Sequence, residues 1–244
     1  MRGRTRGPWL AMAAVALLSV GLAAPAGATD EATYAVTITN LTGGQPLTPP
    51  VIATHNGGVH IFQVGRPASF EVEEIAENGN PGPLISTLDD DKQVFDVEAG
   101  TFPLVPAGTP GAAMFPDFVT LTITGTSSAK YISWESMLIC TNDGFTGLDR
   151  VRLPSAVGES VTLFTNGYDS GTEINTEDFA DIVPPCQGLI GVSSGEPGTG
   201  TSNPALAEGG VIHHHEGILG IAALVPAIHG WTDPVAEVVI TRVS

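Results

Sequence analysis

Apolar and polar positions alternate in short runs along most of the chain: "TYAVTITN", "PDFVTLTITGT", "KYISWESMLIC", "ESVTLFTNG" and "VAEVVITRV". In the first, Val36 and Ile38 are set against Thr37 and Thr39, and "VTLTIT" repeats the period-two pattern that buries one face of a strand. Glycine and proline clusters separate the runs, as in an antiparallel β protein. The pattern predicts an all-β fold, an antiparallel β-sandwich with long loops. One stretch differs: "SFEVEEIAENG" spaces Phe70 and Ile75 among acids at helical intervals before Asn78-Gly79, which predicts a short helix over 68–77. A loop-rich insertion is expected after it, through Pro81, Pro83 and Asp89-Asp90-Asp91. The Gly/Ser/Pro-rich stretch 193–210 is expected to be a second long loop.

The first 28 residues stand outside this pattern. A basic head, "MRGRTRG", precedes an apolar run that ends in "AGA", the form of a secretory signal peptide cleaved near Thr29. The remaining residues, 29–244, contain no repeat or dividing linker and are read as one domain located outside the cell. Removing Arg2, Arg4 and Arg6 leaves 9 − 3 = 6 basic residues against 26 acidic ones, a formal charge of −20, which argues against nucleic acid as a partner. With the leader gone, no span crosses a membrane. The two cysteines, Cys140 and Cys186, are expected to form one disulfide in an exported chain. Asn40-Leu41-Thr42 has the form of a glycosylation sequon, a pattern that also arises by chance.

Two acidic segments carry the candidate chemistry. "TNDGFTGLDR" (141–150) places Asp143 before a glycine, and "GYDSGTEINTED" places Asp169 and Glu173 four apart. Calcium takes six to eight oxygen ligands, and glycines let a loop turn tightly enough to offer carbonyls beside carboxylates. Each segment follows a predicted strand, so loops leaving one end of the sandwich would bring Asp143, Asp169 and Glu173 together. Neither stretch fits an EF-hand loop, and Asp beside Gly also favours turns for backbone reasons alone.

These segments also carry a resemblance. "SMLICTNDGFTGLD" and "YDSGTEIN" resemble the serine-methionine strand, the aspartate turn and the aromatic-Asp-Ala-Gly-Thr-Asp block of the spondin N-terminal domain family. "YAVTITNLTGGQPLTPPVIATH" and "PVAEVVITRV" resemble its first and last strands. The resemblance implies a C2-like sandwich with a divalent cation at one end, held by Asp143, Asp169 and Glu173. Two departures are visible: Glu173 stands where animal members have Asp, and Asn142-Asp143-Gly144 replaces Pro-Asp-Trp. The implied role is non-enzymatic adhesion or ligand binding outside the cell, with a protein, glycan or lipid headgroup as partner.

"GGVIHHHEGILGI" offers an alternative, an extracellular enzyme or metal-handling protein built on His213–His215. In a strand His213 and His215 share a face, as in some transition-metal sites, although no H-E-x-x-H helix is present. A surface turn or an exposed strand end is the simpler account of the segment. His55 and His60 are read as structural. No G-x-S-x-G elbow occurs, Ser170 has no histidine near it in sequence, and three Trp with three Tyr are few for a glycosidase cleft.

Overall fold

The computed structural model describes residues 31–244, so the expected leader lies outside the described residues. In chain order the elements are β1 (Glu31–Asn40), β2 (Val51–His55), α1 (Phe70–Asn78), α2 (Gly82–Asp90), β3 (Val94–Ala99), β4 (Phe118–Thr126), β5 (Tyr131–Met137), β6 (Gly144–Arg152), β7 (Ser160–Thr165), β8 (Gly167–Asp169), α3 (Pro185–Ile190), β9 (His213–His214), α4 (Pro226–His229) and β10 (Ala236–Arg242). They form two antiparallel sheets, one ordered β4-β1-β10-β7 and the other β3-β2-β5-β6-β8-β9. The all-β sandwich is therefore the fold. Among the described residues no helix is long and apolar enough to cross a membrane.

The four-stranded sheet follows the alternating pattern directly. Along β1, Ala32, Tyr34, Val36 and Ile38 point inward, and Val36 lies opposite Ile240 on one side and Leu121 on the other. These residues meet Ile52, Ile132, Trp134 and Leu138 from the second sheet in a core between the two sheets. Burying each such side chain contributes about 1.5–3 kcal/mol.

The six-stranded sheet is buried on both faces at its central strands β2 and β5. Its outer face carries Val51, Ala53, Met137 and Phe145, packed under Val72 and Ile75 of α1, Leu84 and Leu88 of α2, and Phe179. All five residues of β2 are buried for this reason, and so are six of the seven in β5. Two-sided burial removes the alternation that marks a half-exposed strand.

Helix α1 falls close to the predicted span. Ser69 caps it by accepting the Val72 N–H at 3.4 Å, and Gly79 ends it at φ 62°. Its buried side is Val72, Ile75 and Ala76, whereas Phe70 is 61% exposed. The expected loop beyond it is corrected: Gly82–Asp90 is a helix, opened by Pro81 and Pro83 and seated through Leu84 and Leu88, one turn apart. Asp89 and Asp90 thus end a helix instead of lying in a loop. The Cys140–Cys186 disulfide is present and ties the turn before β6 to α3. Asn40 is buried, with its amide donating to the carbonyls of Gln45 (2.7 Å) and Leu104 (2.9 Å), so the sequon nitrogen is committed to the fold.

Candidate metal centre

After β5 the chain reverses through a turn pinned by Thr141, whose hydroxyl donates to the Leu138 carbonyl (2.6 Å) and accepts the Gly144 N–H (2.9 Å). A Cβ at Gly144 would lie 2.5 Å from that hydroxyl, so the turn requires glycine there. The turn places Asp143 just before β6, and Gly144 pairs with Asp169 at the end of β8. The two aspartates therefore lie side by side at one end of the six-stranded sheet, and the segment expected as a loop becomes strand from Gly144 onward.

The third carboxylate arrives from an unexpected direction. Residues 171–174 and 206–210 run alongside one another, with Glu208 N–H donating to the Thr172 carbonyl (2.9 Å) and Gly210 N–H to that of Gly171 (2.7 Å). Gly171 has φ 70°, and a Cβ there would meet the Val211 nitrogen at 2.6 Å, so only glycine permits this approach. As a result Asp143, Asp169 and Glu208 each present an oxygen, all within 4.8 Å of one another. Oxygens on opposite sides of a calcium ion at its usual bond lengths are about 4.6–5.2 Å apart, so the group matches a single hard cation.

Within the acidic pair Asp143 and Asp169, hydrogen bonding leaves one buried oxygen unpartnered. Asp143 Oδ2 accepts from the Ser170 hydroxyl (2.9 Å) and from the Thr172 (2.9 Å) and Glu173 (3.1 Å) N–H groups. Asp143 Oδ1 is buried and has no partner. Asp169 uses Oδ1 to accept the Gly171 N–H (2.8 Å) and Oδ2 to accept the Asn175 amide (2.6 Å). No Lys or Arg forms an ion pair with these acids among the described residues. Burial, and then the neighbouring Asp169 charge, push the Asp143 carboxyl up to about 7. A bound cation would reverse that shift by favouring the ionised form.

Glu173 does not join the converging group. Its main chain supports Asp143, but its carboxylate faces Asn142 (3.5 Å) and is pushed up to about 7 by burial and the nearby Glu77 charge. Four-residue spacing from Asp169 put both on one loop without fixing where each carboxylate points. Glu208 escaped sequence reasoning because it sits in a Gly/Ser/Pro-rich stretch, and the main-chain pairing that delivers it leaves no side-chain pattern.

The histidine segment borders the same site. His213 pairs with Asp169 across β8 and β9, its Nδ1 being 3.7 Å from Asp169 Oδ1 and 3.0 Å from the Val211 carbonyl. His214 packs on Tyr168 with ring centroids 5.3 Å apart, and His215 on Trp231 at 5.0 Å. The three rings thus do not converge on one point. His55 is buried with both ring nitrogens engaged, by the Asn56 carbonyl (2.7 Å) and the Ser133 hydroxyl (2.8 Å), and burial lowers its pKa. His60 bonds Asp149. Ser170 donates to Asp143. Comparison with family models and with curated proteins finds no match.

Proposed function

We propose that this chain is a secreted, calcium-binding β-sandwich module that acts in adhesion or ligand binding outside the cell and not as an enzyme. The observation that carries the reading is the Asp143 carboxyl, which has a buried oxygen, Oδ1, without a partner and which lies in one cluster with the carboxylates of Asp169 and Glu208. Burying an unpaired carboxylate oxygen is costly, and a divalent cation is the partner that satisfies all three acids together. Asp143, Asp169 and Glu208 would hold the ion, with carbonyls and water completing its shell. The ion neutralises the cluster and clamps the 171–174 and 206–210 segments onto β6 and β8. It supplies rigidity by mass action, since only the folded chain offers the site.

The resemblance to the spondin N-terminal domain supports the same end of the sandwich and two of the same acids, Asp143 and Asp169. The clamped loops are then the surface offered to an extracellular protein, glycan or lipid headgroup. A second reading draws on His213, whose ring lies beside Asp169: a nitrogen ligand added to these oxygens favours a transition metal over calcium. Thermal unfolding with calcium, magnesium, zinc or chelator separates the two. The calcium reading expects the midpoint to rise with calcium and to be unaffected by His213→Ala. A rise confined to zinc and abolished by His213→Ala would overturn it.

A further inference from the structure

We propose that the end of the sandwich opposite the acidic cluster is a binding site for a phosphate or sulfate monoester. A cleft of about 320 Å³ opens there, where β1 begins, β4 turns into β5, and β6 and β10 end. Lys130, Arg152 and Arg242 line it. They are half of the six basic residues that follow the leader, in a chain with 26 acidic ones. Strand β6 runs from the Asp143 turn to Arg152 and rises about 3.3 Å per residue, so the two sites are separated by roughly 27 Å. The molecule thus has a negative end and a positive end, and the cleft reading is independent of the metal reading.

The cations differ in how they are held. Arg242 is fixed: its Nη1 donates to the Ser155 carbonyl (2.5 Å) and its Nε to the main-chain oxygen of Ser244 (2.8 Å). Among the described residues, the Lys130 and Arg152 side chains have no hydrogen-bond or ion-pair partner. The nearest acid of the adjoining turn, Glu159, is occupied by the Ser155 and Ala156 N–H groups (2.7 and 2.9 Å) and the Ser155 hydroxyl (3.2 Å). Glu31 begins β1 opposite Thr126, on the cleft's rim.

A guanidinium fork and an ammonium, which have no partner among the described residues and line one concavity, suit an oxyanion with several acceptor oxygens. The floor is Leu153 and Pro154, both buried, with the Tyr34 hydroxyl donating to the Pro154 carbonyl (3.2 Å). The volume exceeds that of a bare ion and reaches the small-molecule range, which begins at about 300 Å³. The ligand is therefore an ester: the oxyanion meets Lys130 and Arg152, and its organic body lies on the apolar floor.

The test is calorimetric titration of the mature chain with inorganic phosphate and with inorganic sulfate, in chelator, against chloride at equal ionic strength. Saturable binding is expected, weakened about tenfold or more by Arg152→Gln or Lys130→Gln alone and lost in the double variant. Arg66→Gln, remote from the cleft, serves as control and leaves binding unchanged. Phosphate binding that tightens from pH 6 to 8 while sulfate stays weaker assigns the oxyanion group of the ligand as phosphate; sulfate the tighter at both assigns it as sulfate. Heats equal to those of chloride, or binding that survives in the double variant, would overturn the proposal. Both side chains are exposed at strand ends, and unfolding midpoints of the variants confirm that any loss is local.

Discussion

Replacing Asp143 by Asn should make the metal-free protein less sensitive to alkali. The Asp143 carboxyl titrates at about 7 in the fold against an ordinary 3.8. A raised folded pKa means that the native state holds the proton more tightly. Its stabilising contribution is complete below about pH 3.8 and is lost as pH rises through about 7. About three pKa units at 1.36 kcal/mol each amount to roughly 4 kcal/mol, of which about 2–3 kcal/mol disappears between pH 5 and pH 8. The amide of the Asp143→Asn variant carries no charge, so this part of the slope should vanish. The assay is urea unfolding in chelator at pH 5, 6, 7 and 8 for both proteins, comparing the two slopes, because Glu173 contributes in the same direction in each. With saturating calcium the order reverses, and the wild type becomes the more stable. Parallel pH profiles in chelator would refute the reasoning, since they would mean that Asp143 is ionised in the empty site at no cost.

Glu135 is fully buried on the helix-facing side of β5 with both carboxylate oxygens unpartnered, and burial raises its pKa well above the usual range. Its contribution is therefore also lost as pH rises, and Glu135→Gln should be more stable than wild type at pH 8 and gain nothing near pH 4; equal differences at both values would contradict this. Gly171→Ala should cost about 1–3 kcal/mol, from its left-handed backbone and the contact with Val211, and should weaken calcium binding by displacing Glu208. Urea midpoints with and without calcium check both effects, and an unchanged midpoint would show that the 206–210 segment yields freely.

Much of the fold was legible where burial is one-sided. β1, β4, β7 and β10 show alternation because one face meets the other sheet and the other meets water. Strand β5 was recognisable from its aromatic and β-branched residues. Strand β2 shows no alternation because all five of its residues are buried, β8 is only three residues long, and β6 begins with turn-like residues because Gly144 and Gly147 each sit against neighbouring backbone or a side chain too closely for a Cβ. Helix α2 was missed because its two prolines read as loop residues, although both stand at its first turn, where a missing N–H costs nothing.

In the candidate cluster, the proximity of Asp143 and Asp169 was legible because each adjoins a strand and a glycine, and register then set them side by side. The third acid was not. Spacing along one loop favoured Glu173, whereas main-chain bonds between 171–174 and 206–210 bring Glu208 to the pair and leave Glu173 facing Asn142. The single-disulfide expectation succeeded because only two cysteines exist to be joined.

The most direct test of the central claim is calorimetric titration with calcium of the wild type, Glu208→Gln and Glu173→Gln. The account predicts one saturable site in the wild type, near-complete loss in Glu208→Gln and retention in Glu173→Gln. Retention in Glu208→Gln together with loss in Glu173→Gln would contradict it, as would the absence of any calcium heat in the wild type.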